Sequence, residues 1–386
     1  MNPGYDIRRD HLLTYLREQQ SCTVAYIYQA FMPTVLHRIF HYFVCVLPFT
    51  DWILHFRGLR DLVQSGGRKL HLSRYRTYLY NPNWAIRMLE KHKTNLLVVD
   101  LLKRKHKHIY YELSTAADTL GIRILALNHA TQLRDEEAST QRKDRIAKDL
   151  SKRFVWMDKF IVHSENDKLA MTVDGVPESK IKVVGSARYC SEWSQTLNTL
   201  IPEHEPKAEK SRLRVLIIDG MPVDLDVPAV RQAALKINEL NNVDLVVKGI
   251  VREGAGILHS LRDKIILDTK TLTLALIRWA DVVIATKSSV ILEIYNQNKI
   301  FVFPKYWSTR PMLFEKFSAC WPVNSDEELI SALQSIRDEN YTLPYGSEQV
   351  SNLQSVVIYD GDITKDVLNE YLMEIQNMCE LKSLHS

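Results

Sequence analysis

The sequence predicts an α/β protein built from two Rossmann-like domains that face each other across a cleft. Short, near-continuous apolar runs such as 95–100 (NLLVVD) and 281–285 (DVVIA) alternate with helical patterns, as the strands of a parallel sheet covered on both faces do. The alternation comes in two series, separated at 196–212 by a polar stretch with two prolines and no periodicity. The chain has 386 residues, more than the ~250–300 at which a single core stops growing. The expected division is a first domain over 1–195, a linker over 196–212, a second domain over 213–360, and a helix over 361–386 that packs back on the first domain.

In chain order, the first ~90 residues are dense in aromatics and bases and show no clean alternation of strand and helix. The pattern clears with a strand at 95–100, a helix at 110–120 and a strand at 121–127. A strand at 159–163 runs into Ser164-Glu165-Asn166-Asp167, which offers N-cap residues for a helix. A strand at 181–185 ends the first series. The second series reads as strand 213–219, helix 229–240, strands 243–248 and 265–268, helix 272–280, strand 281–285, helix 288–297 and strand 299–303. Helices at 326–336 and 363–381 complete it.

Composition narrows the function classes. The formal charge is only +4, from 50 Lys+Arg against 46 Asp+Glu, which argues against a dedicated nucleic-acid binder. The five cysteines, Cys22, Cys45, Cys190, Cys320 and Cys379, are scattered, without a CxxC pair. That spacing fits a reducing compartment and supports neither a disulfide framework nor a structural zinc site. The expected location is cytoplasmic. Residues 35–56 come nearest to a membrane span, but His37, Arg38, His41, Pro48 and Asp51 interrupt them. Aromatics over 26–80, interleaved with Arg38, Arg57, Arg60, Arg68, Lys69, Arg74 and Arg76, suit either an interfacial contact with anionic lipid or a core with snorkelling bases. The basic run 102–108 reads as a solvated loop.

Ligands of open α/β sheets bind beyond the carboxyl ends of the strands. There, Thr286-Lys287-Ser288-Ser289 sits between a strand and a helix. Its hydroxyls, backbone N–H groups and one charge suit a phosphate, or else the serines simply cap the helix. Glu293, one turn on, is placed to bond ribose hydroxyls. Asp219 ends a strand, as a cleft carboxylate able to attack an anomeric carbon or as a turn aspartate bonding its own backbone. His129 follows another strand, as a general base or as a loop-bonded histidine. Arg188 and Lys248 are cations suited to a phosphate or an acidic sugar, or equally to a surface salt bridge. Asp224 and Asp226 share the Asp219 loop as weaker candidates, and apart from Asp224-Leu225-Asp226 no grouping has metal-ligand spacing.

The run 279–303, WADVVIATKSSVILEIYNQNKIFVF, resembles the nucleotide-binding segment of GT-B-fold transferases of bacterial surface polymers, in particular CMP-Kdo-dependent Kdo transferases and CDP-glycerol glycerophosphotransferases. Residues 180–189, KIKVVGSARY, are similar to the loop that ends the first domain in those families, and Ala126-Leu127-Asn128-His129-Ala130 to their strand followed by histidine and glycine. The matches cover roughly 95–335. The chain departs from the pattern at Ala130, at Ala187, and at Val247-Lys248-Gly249-Ile250-Val251, where Lys248 stands but the family's histidine does not.

The resemblance implies an acceptor-binding first domain and a donor-binding second domain, with Gly185, Ser186 and Arg188 joining Thr286, Lys287, Ser288, Ser289, Glu293 and Lys248 around the donor, and Asp219 and His129 flanking the reacting carbon. It implies a glycosyltransferase of capsule, O-antigen or lipopolysaccharide assembly that moves an acidic sugar, Kdo, from a CMP-linked donor to a glycan or lipid-linked glycan acceptor at the inner face of the cytoplasmic membrane. No cofactor and no metal are expected. Transfer of glycerol phosphate from CDP-glycerol, a hydrolysing nucleotide-sugar epimerase and a non-catalytic GT-B binding domain stay open beside it.

Overall fold

The computed structural model describes residues 82–100, 109–128, 131–137, 156–200, 212–220, 224–250, 256–308 and 310–380. The basic aromatic region 26–80, the basic run 102–108 and His129 lie outside them. The first domain runs α1 (Pro82–Lys91), β1 (Leu96–Asp100), α2 (Ile109–Thr119), β2 (Arg123–Leu127), β3 (Lys159–Val162), α3 (Glu165–Val173), β4 (Ile181–Val183) and α4 (Ser191–Leu200). Its sheet is parallel, in the order β1-β2-β3-β4.

The second domain runs β5 (Leu213–Ile218), α5 (Val227–Asn238), β6 (Val243–Lys248), β7 (Ile266–Asp268), α6 (Thr273–Trp279), β8 (Val282–Ile284), α7 (Ile291–Asn296), β9 (Ile300–Pro304), α8 (Leu313–Lys316), β10 (Trp321–Val323) and α9 (Asp326–Arg337). Its six strands are parallel, in the order β10-β9-β8-β5-β6-β7. The chain ends in α10 (Ser347–Ile358) and α11 (Val367–Glu380).

Local chemistry explains the helix starts. Ser164 caps α3 by accepting from Asp167 N–H, with Glu165 and Asp167 in the first turn. Ser325 caps α9 in the same way, through Glu328 N–H, ahead of three acidic residues, and Arg337 closes its last turn. Asp226 caps α5 through Ala229 N–H. Helix α4 runs to Leu200, into the stretch expected as linker, because Trp193 and Leu197, one turn apart, are both buried.

One hydrophobic core joins the two domains. Leu125 and Ile161 of the first sheet, with Val184 just after β4, cluster with Leu216, Val246 and Val283 of the second, together with Leu353 and Val357 of α10 and Tyr371 and Ile375 of α11. Helix α11 lies against β1 and β2, and its Glu374 pairs with Lys159. The loop after β4 is clasped by this C-terminal pair. Ser186 N–H donates to Ile358 O at 2.7 Å, and the Tyr371 hydroxyl donates to Gly185 O at 3.0 Å. Gly185 sits at φ +113°, and a Cβ there would lie 2.5 Å from Ile358 O, so only glycine allows the approach.

Candidate functional site

The strand order of the second sheet reverses between β5 and β8. At such a switch point the loops leaving the two strands diverge to opposite faces and open a crevice at the carboxyl edge, where open α/β sheets take their ligands. Here the crevice lies between the turn after β5, with Asp219, Asp224 and Asp226, and the loop after β8, Ala285 to Val290. The loop after β9 reaches it with Arg310.

Thr286 is buried, and Lys287, Ser288 and Ser289 are half-buried at the mouth. The Ser288 side-chain oxygen accepts from Val290 N–H at 3.3 Å, and its carbonyl from Ile291 N–H at 3.1 Å, which turns the loop tightly into α7. Arg310 forms an ion pair with Asp224, whose backbone is left-handed at φ 59°. Burial lowers the Lys287 pKa from its ordinary value; Asp224 opposes that shift and Arg310 adds to it. Lys287 and Arg310 are thus both electrostatic neighbours of Asp224 at the switch point, which brings two cations to this edge of the sheet. Sequence reading missed Arg310; its signal was a lone arginine shortly after a strand of the same sheet.

The structure gives other predicted residues partners that the sequence did not show. Glu293 is buried and pairs across the domains with Arg188, Oε1 to Nη2 at 2.8 Å, while its Oε2 is buried with no hydrogen-bond partner. Arg188 also lies over the Tyr189 ring, 4.8 Å from its centroid. Burial opposes the Arg188 charge, but Tyr189 and Glu293 outweigh it, so the guanidinium stays protonated. The ribose role expected for Glu293 is therefore confined to one oxygen. Buried Lys248 donates to Thr271 O at 2.6 Å and ties down the turn before α6. Gly185 and Ser186 differ from the expectation as well: they are held beneath α10 and α11 rather than turned to the donor crevice.

Of the two readings open for Asp219, cleft nucleophile or turn aspartate, its contacts are those of the turn aspartate. Its carboxylate accepts from Gly220 N–H at 2.9 Å, Ile257 N–H at 3.1 Å and Leu258 N–H at 3.3 Å. A Cβ on Gly256 would fall 2.0 Å from its Oδ2. Burial raises its pKa, against those three backbone donors. Such a carboxylate pins the turn after β5 to the 256–258 turn, with Oδ1 taking all three donors and Oδ2 only a share of the Leu258 N–H. Asp226 is likewise spent as the α5 cap.

A second polar group lies at the carboxyl edge of the first sheet, where Thr131, His163, Ser164, Asp167 and Ser186 are all buried. Thr131 Oγ1 and His163 Nδ1 share a hydrogen bond of 2.7 Å, and the Thr131 hydroxyl lies 3.3 Å from Ser186 Oγ. Asp167 Oδ1 accepts from Gln132 N–H at 3.1 Å, and its Oδ2 lies 3.8 Å from His163 Nδ1. Burial pushes the Asp167 carboxyl up to about 7. Among the described residues, no group of three or more His, Cys, Asp or Glu is placed to hold a metal ion.

No protein-family profile matches the chain, and no curated protein matches it in sequence. Solved structures do match in shape. The MnaA protein of S. aureus, in its co-structure with UDP, is 11% identical, with a TM-score of 0.51 over 97% of this chain and 94% of that one. The UDP-GlcNAc 2-epimerase of Neisseria meningitidis bound to UDP-GlcNAc is 12% identical over 78% and 81%, with a TM-score of 0.47. Anabaena Alr3699/HepE in complex with UDP and glucose is 13% identical over 76% and 81%, with a TM-score of 0.43. The two facing parallel-sheet domains and the likeness to MnaA make this the GT-B fold that the sequence predicts.

Proposed function

We propose that the chain is a glycosyltransferase that takes a sugar from a nucleotide-activated donor seated in the β5/β8 crevice. One observation carries the reading: at the switch point of a GT-B second domain, Lys287 and Arg310 come together around Asp224 beside the Thr286–Ser289 loop. A nucleotide leaving group gains negative charge as the glycosidic bond breaks, and cations already held in place at a partly dry site lower that barrier. The Ser288 and Ser289 hydroxyls face the same phosphate, and Glu293 Oε2 takes a ribose hydroxyl. The acceptor lies against the first domain, with His129 as its general base. Asp219 serves as the tie between two loops and forms no covalent intermediate.

For the donor, the motif resemblance supports a CMP-linked acidic sugar, Kdo, and a glycan or lipid-linked glycan acceptor of surface polysaccharide assembly. A UDP-sugar is the second reading, because the co-structure of S. aureus MnaA holds UDP. A lipid-linked acceptor would call the basic aromatic residues 26–80 to the inner face of the cytoplasmic membrane; no helix among the described residues is long and apolar enough to cross one.

Calorimetry with CMP and UDP, on the wild type and on Lys287→Ala, Arg310→Ala and Ser288→Ala/Ser289→Ala, tests the site. Each variant should weaken the preferred nucleotide at least fivefold, about 1 kcal/mol. Nucleotide release from CMP-Kdo, CDP-glycerol and UDP-GlcNAc, with and without glycan acceptors, tests the reaction. Release from CDP-glycerol alone would indicate glycerol-phosphate transfer, and release without an acceptor would indicate a hydrolase or epimerase. A wild type that binds neither nucleotide would overturn the reading.

A further inference from the structure

Residues 131–137 form a strap between the domains that ends in a turn at 136–137, and over 132–136 its backbone polar groups point alternately to two sides. On one side Leu313 N–H donates to Leu133 O at 2.8 Å and Asp135 N–H to Pro311 O at 3.1 Å, so Arg134 and Met312 form an antiparallel β-bridge. Lys316 Nζ extends this seam to Glu137 at 2.8 Å. On the other side the strap meets not a strand but the side chain of Asn166, at the start of α3. The Asn166 amide nitrogen donates to Arg134 O at 3.0 Å and Gln132 O at 3.4 Å, and its Oδ1 accepts from Glu136 N–H at 3.1 Å. Asp167 Oδ1 adds the bond to Gln132 N–H.

One amide side chain therefore does for the strap what the edge of a neighbouring strand would do, satisfying backbone groups on three residues. The segment that the strap holds on its far side begins at Pro311, immediately after Arg310. From α3 through the strap to Arg310 there is an unbroken series of hydrogen bonds and peptide linkages, and it crosses from the first domain to the cation of the second. The Arg310 guanidinium has its own ion pair with Asp224 and the Arg310 backbone N–H donates to Ser308 Oγ at 3.3 Å, while the chain on its carboxyl side is fixed by this seam. A charged group that must meet a phosphate loses effect when its support loosens by even about 1 Å.

We propose that Asn166 is a positioning residue for the donor site: through the strap 131–137 it holds the Arg310 loop where Arg310 can meet the donor phosphate. The inference rests on the reading of the β5/β8 crevice as the donor site and assigns to that site a residue of the opposite domain. Asn166 itself touches no donor. Its part is distinct from a contribution to stability, because it must vanish once Arg310 is gone.

Calorimetric titration of UDP and of CMP into the full chain, with melting temperatures recorded in parallel, tests this on Asn166→Ala, Arg310→Ala, the double variant and Lys287→Ala. Asn166→Ala should weaken the preferred nucleotide roughly fivefold, and Arg310→Ala by more. The double variant should bind no more weakly than Arg310→Ala alone. Where Asn166→Ala does not fold, Asn166→Asp keeps the acceptor for Glu136 N–H, loses both donor bonds, and is read in the same way. Weakened binding in Arg310→Ala with unchanged binding in Asn166→Ala overturns the inference and leaves the donor site standing. Fully multiplicative losses in the double variant also overturn it, since Asn166 would then act independently of Arg310. Unchanged binding in both Arg310→Ala and Lys287→Ala overturns the donor site, and the inference with it.

Discussion

Glu293→Gln removes one charge from the ion pair that joins the domains and leaves the shape almost unchanged. At 2.8 Å, two unit charges in a partly buried setting attract by about 6 kcal/mol at an effective dielectric constant of ~20, before the cost of desolvating them is counted. The net effect of breaking such a pair is smaller and is dominated by the partner left behind. Arg188, only 18% exposed and held charged, would keep its charge without a counter-ion. Uncompensated buried charges of this kind cost roughly 3–5 kcal/mol, and the residual exposure of Arg188 puts the expectation at the lower end, about 3 kcal/mol. For domains of this size that corresponds to a melting temperature lower by about 6–12 °C. The assay is thermal and urea unfolding of Glu293→Gln, Arg188→Met and the double variant. Removing both charges leaves nothing unpaired, so the double variant should be more stable than the two single losses predict, by at least about 1 kcal/mol. Additivity within about 0.5 kcal/mol, the behaviour of independent sites, would refute the claim that this pair couples the domains.

Three further outcomes follow from individual contacts. Asp219→Ala strips the acceptor from three backbone N–H groups and should cost about 2–3 kcal/mol in urea unfolding, whereas Asp219→Asn keeps an acceptor oxygen, costs less and retains turnover; an inactive but stable Asp219→Asn would return this residue to the chemistry. Gly185→Ala forces a Cβ into Ile358 O and a left-handed backbone, so the melting curve should shift by about 2 kcal/mol or more; an unshifted curve would mean that α10 does not sit tightly on this loop. Asp167, with its carboxyl raised from 3.8 to about 7, binds its proton more tightly when folded than when unfolded. Its own contribution to stability is then fully present below about pH 4, is lost as pH rises towards 7 and levels off above it, by roughly 4 kcal/mol at most. Comparing urea midpoints from pH 4 to 8 checks this: Asp167→Asn should lose that slope, and parallel profiles would contradict it.

Much of the architecture was legible because its causes are local. The buried strands announce themselves as apolar runs, and Ser164, Asp226 and Ser325 start helices by accepting an N–H three residues on, within reach of a short pattern. The short strand at 321–323 and the helix α10 escaped notice, the first because three residues carry no periodicity, the second because its apolar face, Leu353, Val357 and Ile358, has meaning only against the core that both domains share. The site was legible in position more than in partners. Thr286 to Ser289 could be placed at a strand-to-helix turn, but the reversal of strand order that makes this turn a crevice depends on pairings between distant strands.

The sequence by itself determined the fold class, two parallel-sheet domains, and most of the loops at their carboxyl edges, since apolar periodicity and capping are read over a few residues. Only the tertiary structure decided what each polar group at those edges does. Arg188 and Glu293 are 105 residues apart in the chain and meet at 2.8 Å; Asp219 accepts from three backbone N–H groups of two turns; Arg310 stands beside Lys287; and Asn166 ties a strap across the cleft. A charge or amide is committed by whichever partner the fold brings to within about 3 Å, and that choice is made by packing between distant segments, which no local pattern records.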